Sequence, residues 1–163
     1  MEATELKWEH TIDVLNRYGE LLVTRYQTYV PEASGKLVNS VRYELKTTDR
    51  TFEIGLWLED YWYYVENGRK AGKFPPIEKI KDWITVKPII PRPMKNGKLP
   101  TEDQLAFLIA RKIAREGTLG THPLERAVED VNSQMLMSLK EAIIEDIGES
   151  LTTTLITLNN LGS

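Results

Sequence analysis

The apolar residues of this chain change period at Val41, and that change limits the folds open to it. Val41, Tyr43 and Leu45 alternate with Arg42, Glu44 and Lys46; after the polar stretch Thr47-Thr48-Asp49-Arg50, Phe52, Ile54, Leu56 and Leu58 alternate again. A period of two is the pattern of a half-buried strand. Two such runs across a short polar turn predict an antiparallel hairpin. On either side of this hairpin the apolar period is helical, so strands and helices are segregated along the chain rather than alternating, and the predicted class is α+β.

Before the hairpin, Trp8, Ile12, Leu15, Leu22 and Tyr26 share one stripe, which predicts a helix over residues 4–29 with Thr4 as its cap and Pro31 as its stop. Residues 34–40 read as a turn or a short helix. After the hairpin, Tyr61-Trp62-Tyr63-Tyr64-Val65 predicts a short helix or a third strand covering the sheet, and the Gly- and Lys-rich residues 67–75 a loop. Pro76 suits the first turn of a helix to about residue 86, with Ile77, Ile80, Trp83 and Ile84 on one face. Residues 87–100 carry four prolines and an Asn96-Gly97 turn signal, which predicts an extended loop or a Pro-limited hairpin, expected to serve as an arm reaching a neighbouring subunit. Thr101 is the expected cap of a helix to Glu116, with Leu105, Leu108, Ile109 and Ile113 inward and Gly117 and Gly120 ending it. Pro123 opens the last helix, whose expected inward stripe is Leu124, Val128, Val131, Met135, Leu139, Ile143 and Ile147; Leu151, Leu155 and Leu158 continue it beyond Gly148. The expected architecture is a small antiparallel sheet packed by an N-terminal helix and C-terminal helices. It forms one domain over residues 1–147 with a helical extension over 148–163.

The 163 residues, 41% hydrophobic and 28% charged, suffice for one core that buries roughly two-thirds of the unfolded surface. There is no cysteine, which removes disulfides, thiolate metal sites and thiol nucleophiles. The acidic start Met1-Glu2-Ala3-Thr4-Glu5 does not resemble a signal peptide, and no run approaches the roughly 20 apolar residues of a membrane helix. The expectation is a soluble protein made in the cytoplasm, with no membrane partner. Charge is segmented: residues 1–66 carry −5, residues 67–98 +7 and residues 99–163 −5. A basic middle between acidic flanks points to complementary contacts, between copies or with another polyanion.

No constellation for catalysis is evident. His10 and His122 have no second histidine at ligand spacing, and adjacent carboxylates such as Glu59/Asp60, Glu129/Asp130 and Glu145/Asp146 diverge on a helix, which predicts solvated faces. Gly68-Arg69-Lys70-Ala71-Gly72-Lys73 only loosely imitates a phosphate-binding loop. The aromatic residues Trp57, Tyr61, Trp62, Tyr63 and Tyr64 fit either a stacking platform or packing in a core or interface, and packing is favoured. The expected site is therefore a set of subunit or partner contacts, Arg69, Lys70, Lys73, Lys87, Arg92, Lys95 and Lys98 with Tyr64 and Trp62, with no catalytic residue, cofactor or metal.

Two stretches carry a family resemblance. One is Tyr64-Val65-Glu66-Asn67-Gly68-Arg69 with Lys73-Phe74-Pro75-Pro76, Ile80 and Trp83; the other is Leu105-Ala106-Phe107-Leu108-Ile109-Ala110-Arg111-Lys112-Ile113-Ala114-Arg115-Glu116-Gly117-Thr118 followed by Pro123 and an apolar helix. In order and spacing over about residues 41–130 they resemble the tailed-phage tail-completion, or head–tail joining, minor structural proteins typified by gene product ten of the HK-type lambdoid phages. The resemblance implies an α+β fold and a virion protein of the neck or tail region that forms rings, six or twelve copies being expected. Its implied partners are the portal or connector and the tail proteins, with DNA passing nearby without sequence-specific binding. It supplies no catalytic residue. The arm at 87–100 and the tail beyond about residue 145 are longer than the family pattern requires. The alternative is a nucleic-acid-binding phage accessory protein using the basic segment 67–98, which the acidic remainder disfavours. A third reading, a small phage nuclease, finds no carboxylate cluster in its support.

Overall fold

The computed structural model describes residues 6–31, 35–48, 51–87 and 89–161. In chain order the elements are α1 (Glu9–Tyr29), α2 (Gly35–Ser40), β1 (Arg42–Thr47), β2 (Phe52–Trp57), α3 (Trp62–Asn67), β3 (Gly68–Arg69), α4 (Ile77–Val86), α5 (Glu102–Glu116), β4 (Thr118–Leu119) and α6 (Pro123–Leu161). The fold is α+β: β1 pairs with β2 and β3 with β4, in two separate two-stranded sheets. No described helix is long and apolar enough to cross a membrane. The chain forms two compact units, residues 1–25, 42–56 and 127–163 in one, residues 26–41 and 57–126 in the other.

In the first unit, the predicted hairpin forms where the alternation places it, and its turn is closed by Thr48 N–H donating to the Thr51 carbonyl at 2.9 Å. Tyr43, Leu45, Phe52, Ile54 and Leu56 are half-buried while Arg42, Glu44, Lys46 and Glu53 face solvent, as period two requires. Helix α1 lies against this hairpin. Trp8 meets Phe52 edge to face at 5.8 Å, and the Tyr43 hydroxyl reaches Asn16 Oδ1 at 3.4 Å. At Gly19 helix and strand approach closely: a Cβ there would overlap the Tyr43 ring at its Cδ2. Glycine inside a helix costs about 1 kcal/mol against alanine, and here that cost is offset by bringing helix and strand together. Helix α1 begins at Glu9; the expected cap Thr4 lies outside the described residues.

The face of α6 in this unit differs from the expected one. Its buried positions are Ala127, Val131, Ala142 and Asp146, whereas Ile147 is exposed and Met135, Leu139 and Ile143 are only half-buried. Small side chains allow the helix to seat closely, so the face of closest contact is the alanine face and the larger residues flank it. Helix α6 runs through Gly148 without interruption.

In the second unit, α4 and α5 form a helical pair around Ile80, Ala106 and Ala110, with Ile77, Ile84, Ile109 and Ile113 packed about them. Leu108, expected inward, is exposed; Ala106 and Ala110 take the contact face for the same reason of close approach. The Thr101 cap is as expected, completed into a capping box: Thr101 Oγ1 accepts from Gln104 N–H at 3.3 Å, and Gln104 Oε1 from Thr101 N–H at 3.0 Å. Lys81 of α4 bridges to Asp103 of α5 at 2.6 Å. The aromatic run forms the helix α3, and the stretch read as a loop contains the short strand β3, which no period in the sequence marks. Pro76 stands at the N-cap of α4, one position earlier than expected.

The tight seat of Gly19 on Tyr43 predicts that Gly19→Ala destabilises the protein by about 1–3 kcal/mol, despite the better helix propensity of alanine. Urea unfolding measures it, and equal or greater stability of the variant would contradict the packing described.

Candidate functional site

The two stretches singled out in the sequence meet in space, in the second unit. Residues 68–69 and 118–119 pair antiparallel, Gly68 opposite Leu119 and Arg69 opposite Thr118. Both Gly68 and Gly117 adopt positive φ, 75° and 74°, and side chains there would strike the Thr118 and Arg69 carbonyls respectively. The segment after β4 then lies along the end of α3. Thr121 N–H donates to the Val65 carbonyl at 2.9 Å and His122 N–H to the Glu66 carbonyl at 3.3 Å. A side chain at Gly120 would strike that Glu66 carbonyl.

At the centre of this junction is Glu66, a buried carboxylate. Helix α6 opens with Pro123, which has no N–H, so the first unpaired amides are those of Leu124 and Glu125. Glu66 Oε2 accepts from Leu124 N–H at 2.8 Å and Oε1 from Glu125 N–H at 3.0 Å. Arg126 N–H then makes the first intrahelical bond, to the His122 carbonyl at 3.1 Å. Every donor of the first turn is thereby accounted for, and the negative charge lies at the positive end of a long helix. The Arg126 guanidinium stacks over Tyr29 at 4.0 Å. The wholly buried Tyr26 hydroxyl has its pKa pushed up to about 12, first by burial and then by the charge of Glu66 and by Tyr61.

The same device stands in the first unit. Asp146 of α6 is 2% exposed, and its Oδ1 and Oδ2 accept from the amides of His10 and Thr11, both at 2.9 Å, in the first turn of α1. The expected solvated Glu145/Asp146 pair is thus corrected: Glu145 is exposed and Asp146 is interior, because the amides of a helix start supply the partners that a buried carboxylate needs. Burial works to raise the Asp146 pKa, but the Thr11 side chain and amide, the His10 amide and the charge of His10 outweigh it and hold it below the ordinary value. Thr11 Oγ1 itself is buried without a partner of hydrogen-bond geometry among the described residues. His10 is raised, chiefly by its contact with Glu149 at 3.2 Å.

The predicted contact residues divide into a set held by this junction and a set on the arm. Arg69 lies over the Tyr64 ring at 5.2 Å and donates to the Lys73 and Phe74 carbonyls, each at 3.2 Å, so it fixes the loop that follows it. Lys70 and Lys73 are exposed beside it. Trp62 is half-buried and meets Tyr63 edge to face, as Tyr63 meets Tyr64, with ring planes 84° and 81° apart. Rings set at right angles to their neighbours do not offer the successive parallel faces of a base-stacking platform. Tyr61 is structural, its hydroxyl accepting from Leu37 N–H at 2.8 Å. Lys87 lies over Trp83 at 5.4 Å, while Arg92, Lys95 and Lys98 stand exposed on the arm. Phe74 and Phe107, one from each of the two resembling stretches, stack at 6.0 Å with both rings about half exposed.

Glu66, His122 and Glu125 also bring their potential ligand atoms within 4.8 Å of one another. Both oxygens of Glu66 already accept amide hydrogens at the positive end of a helix. That setting disfavours a cation. His122 Nδ1 pairs with Glu125 at 3.2 Å instead.

No protein-family model, curated protein or solved structure matches the chain.

Removing the Glu66 carboxylate leaves two part-buried amides without their acceptors, so Glu66→Ala should cost about 1–2 kcal/mol in urea unfolding and Glu66→Gln, which keeps one acceptor, clearly less. A loss under about 0.5 kcal/mol for Glu66→Ala would contradict the capping role. The lowered pKa of Asp146 means that its contribution is complete above the unfolded value of about 3.9 and fades as pH falls through the folded value. The stability gap between the native protein and Asp146→Asn should therefore be full near pH 5, where His10 is charged in both states, and narrow in stronger acid. A gap independent of pH would contradict this.

Proposed function

We propose that the chain is a virion structural protein, a ring-forming neck or tail-completion subunit at the head–tail junction of a tailed phage. The observation that carries the reading is the convergence of the two resembling stretches. Tyr64, Glu66, Gly68, Arg69, Gly117 and Pro123 each have a defined part in one junction, and every part is a scaffold part. Glycines permit close backbone crossing, the glutamate caps a helix, and the arginine ties down a loop. The two deeply buried carboxylates, Glu66 and Asp146, are each occupied by two amide donors. A general acid or base needs an oxygen open to substrate, and this supports a role in assembly over one in catalysis.

Under this reading the exposed cations of residues 69–98 meet an acidic protein surface rather than DNA in transit. A channel lined by phosphate-binding Lys and Arg would slow passage, since each neutralised phosphate adds affinity through counterion release.

Deleting the gene from the phage that encodes the chain tests the proposal. Electron microscopy of the lysates should show DNA-filled heads and separate tails, with infectious joined particles restored when the protein is supplied in trans. Joined, infectious particles in its absence would overturn the reading.

A further inference from the structure

The C-terminal part of α6 carries an apolar stripe that no described residue covers. Met137, Ile144, Ile147, Leu151, Leu155 and Leu158 recur at spacings that place them on one face, turned away from the buried Ala142 and Asp146. Leu151 and Leu155 are 60% and 62% exposed. Along one edge of the stripe Glu141, Glu145 and Glu149 form a single row, each four residues from the next; only His10 meets it among the described residues, at 3.6 Å from Glu145 and 3.2 Å from Glu149, and α6 has no Lys or Arg beyond Lys140. A like-charge row of this kind weakens the helix that carries it. A second copy of the same face offers it a single cation, Lys140, against three glutamates.

The arm at residues 87–100 has the opposite composition. It holds Lys87, Arg92, Lys95 and Lys98, no acidic residue, and the apolar Ile89, Ile90, Met94 and Leu99. Ile90 is 92% exposed. Its four prolines remove the amide donors needed to add a strand to a sheet edge, so any docking runs through side chains. The tip is already shaped: Met94 N–H donates to the Lys98 carbonyl and Gly97 N–H to the Met94 carbonyl, both at 2.8 Å, and Asn96 Oδ1 accepts from Lys98 N–H at 3.1 Å. A preformed turn lowers the ordering cost of binding.

We propose that the arm of one copy docks on the outer face of the C-terminal part of α6 of the next, its apolar residues on the leucine stripe and its cations on the glutamate row. The two surfaces are different and sit on the same chain, so the contact is head-to-tail, and repetition closes a ring when the rotation per subunit allows it. The inference rests on the ring-forming reading above and names the contact that would build the ring.

Mass photometry and analytical ultracentrifugation of the full chain test this. Arg92→Glu/Lys95→Glu/Lys98→Glu and, separately, Glu141→Lys/Glu145→Lys/Glu149→Lys should each raise the concentration for half-assembly by at least about 100-fold. Mixing the two variants, or combining all six changes in one chain, should restore assembly, because the reversed charges again match. If the glutamate variant fails to fold, judged by circular dichroism, Leu151→Ser/Leu155→Ser replaces it and should show the same loss, since both residues are exposed. Deleting residues 91–97 should give a folded monomer. Native protein that forms rings indifferent to all these changes would overturn the arm contact and leave the ring reading standing. Native protein that stays monomeric at about 100 µM, against association constants expected of a specific interface, would overturn both.

Discussion

A carboxylate buried against the first two free amides of a long helix is the interaction on which the second unit depends. Glu66 meets Leu124 and Glu125 across 58 and 59 positions of sequence, and it does so only because β3 and β4 pair and Gly120 lets the chain pass the end of α3. Remove the carboxylate and the part-buried amides at the start of α6 lose their side-chain cap. Remove the glycines and the carboxylate never arrives. The junction is cooperative in this sense: each piece is weak alone, and each fixes the geometry that the next needs.

Asp146 repeats the arrangement at the start of α1, on the same second and third positions of the helix. Neither helix has a capping residue of its own, since Trp8 precedes α1 and His122 precedes α6. Both therefore take the cap from a distant carboxylate, which turns a local requirement of helix ends into a long-range constraint on the fold. The two ends of α6 have different tasks. Its first turn receives a cap, Asp146 gives one, and past Ser150 only Thr154 among the residues described to position 160 is even half-buried.

Local chemistry was readable in the sequence wherever it was periodic or written in caps. The hairpin follows from alternation, α5 from Thr101 with Gln104, its end from Gly117, and the start of α6 from Pro123. What escaped depends on distance. Glu66 and Asp146 look in sequence like ordinary surface acids, and nothing local to either marks it as the cap of a distant helix. Strands β3 and β4 are two residues each, too short to show any period. The inward faces of α5 and α6 were legible only in part: Ile109, Ile113 and Val131 lie inward as their spacing predicts, while the closest contacts fall on Ala106, Ala110, Ala127 and Ala142, whose small side chains carry little hydrophobic signal. Of the predicted contact residues, Arg69 pairs with Tyr64 and Lys87 lies over Trp83, while Arg92, Lys95 and Lys98 of the arm are exposed.

A scaffold-only junction, a basic arm and an acidic apolar helix face make assembly the reading with the most physical support. The most direct measurement is quantitative mass spectrometry of purified phage particles, with the portal protein as internal standard. The account predicts that the chain is a constituent of the particle at a fixed ratio to the portal, equal to one ring of six or twelve copies. Its absence from infectious particles, or a variable trace amount, would contradict it.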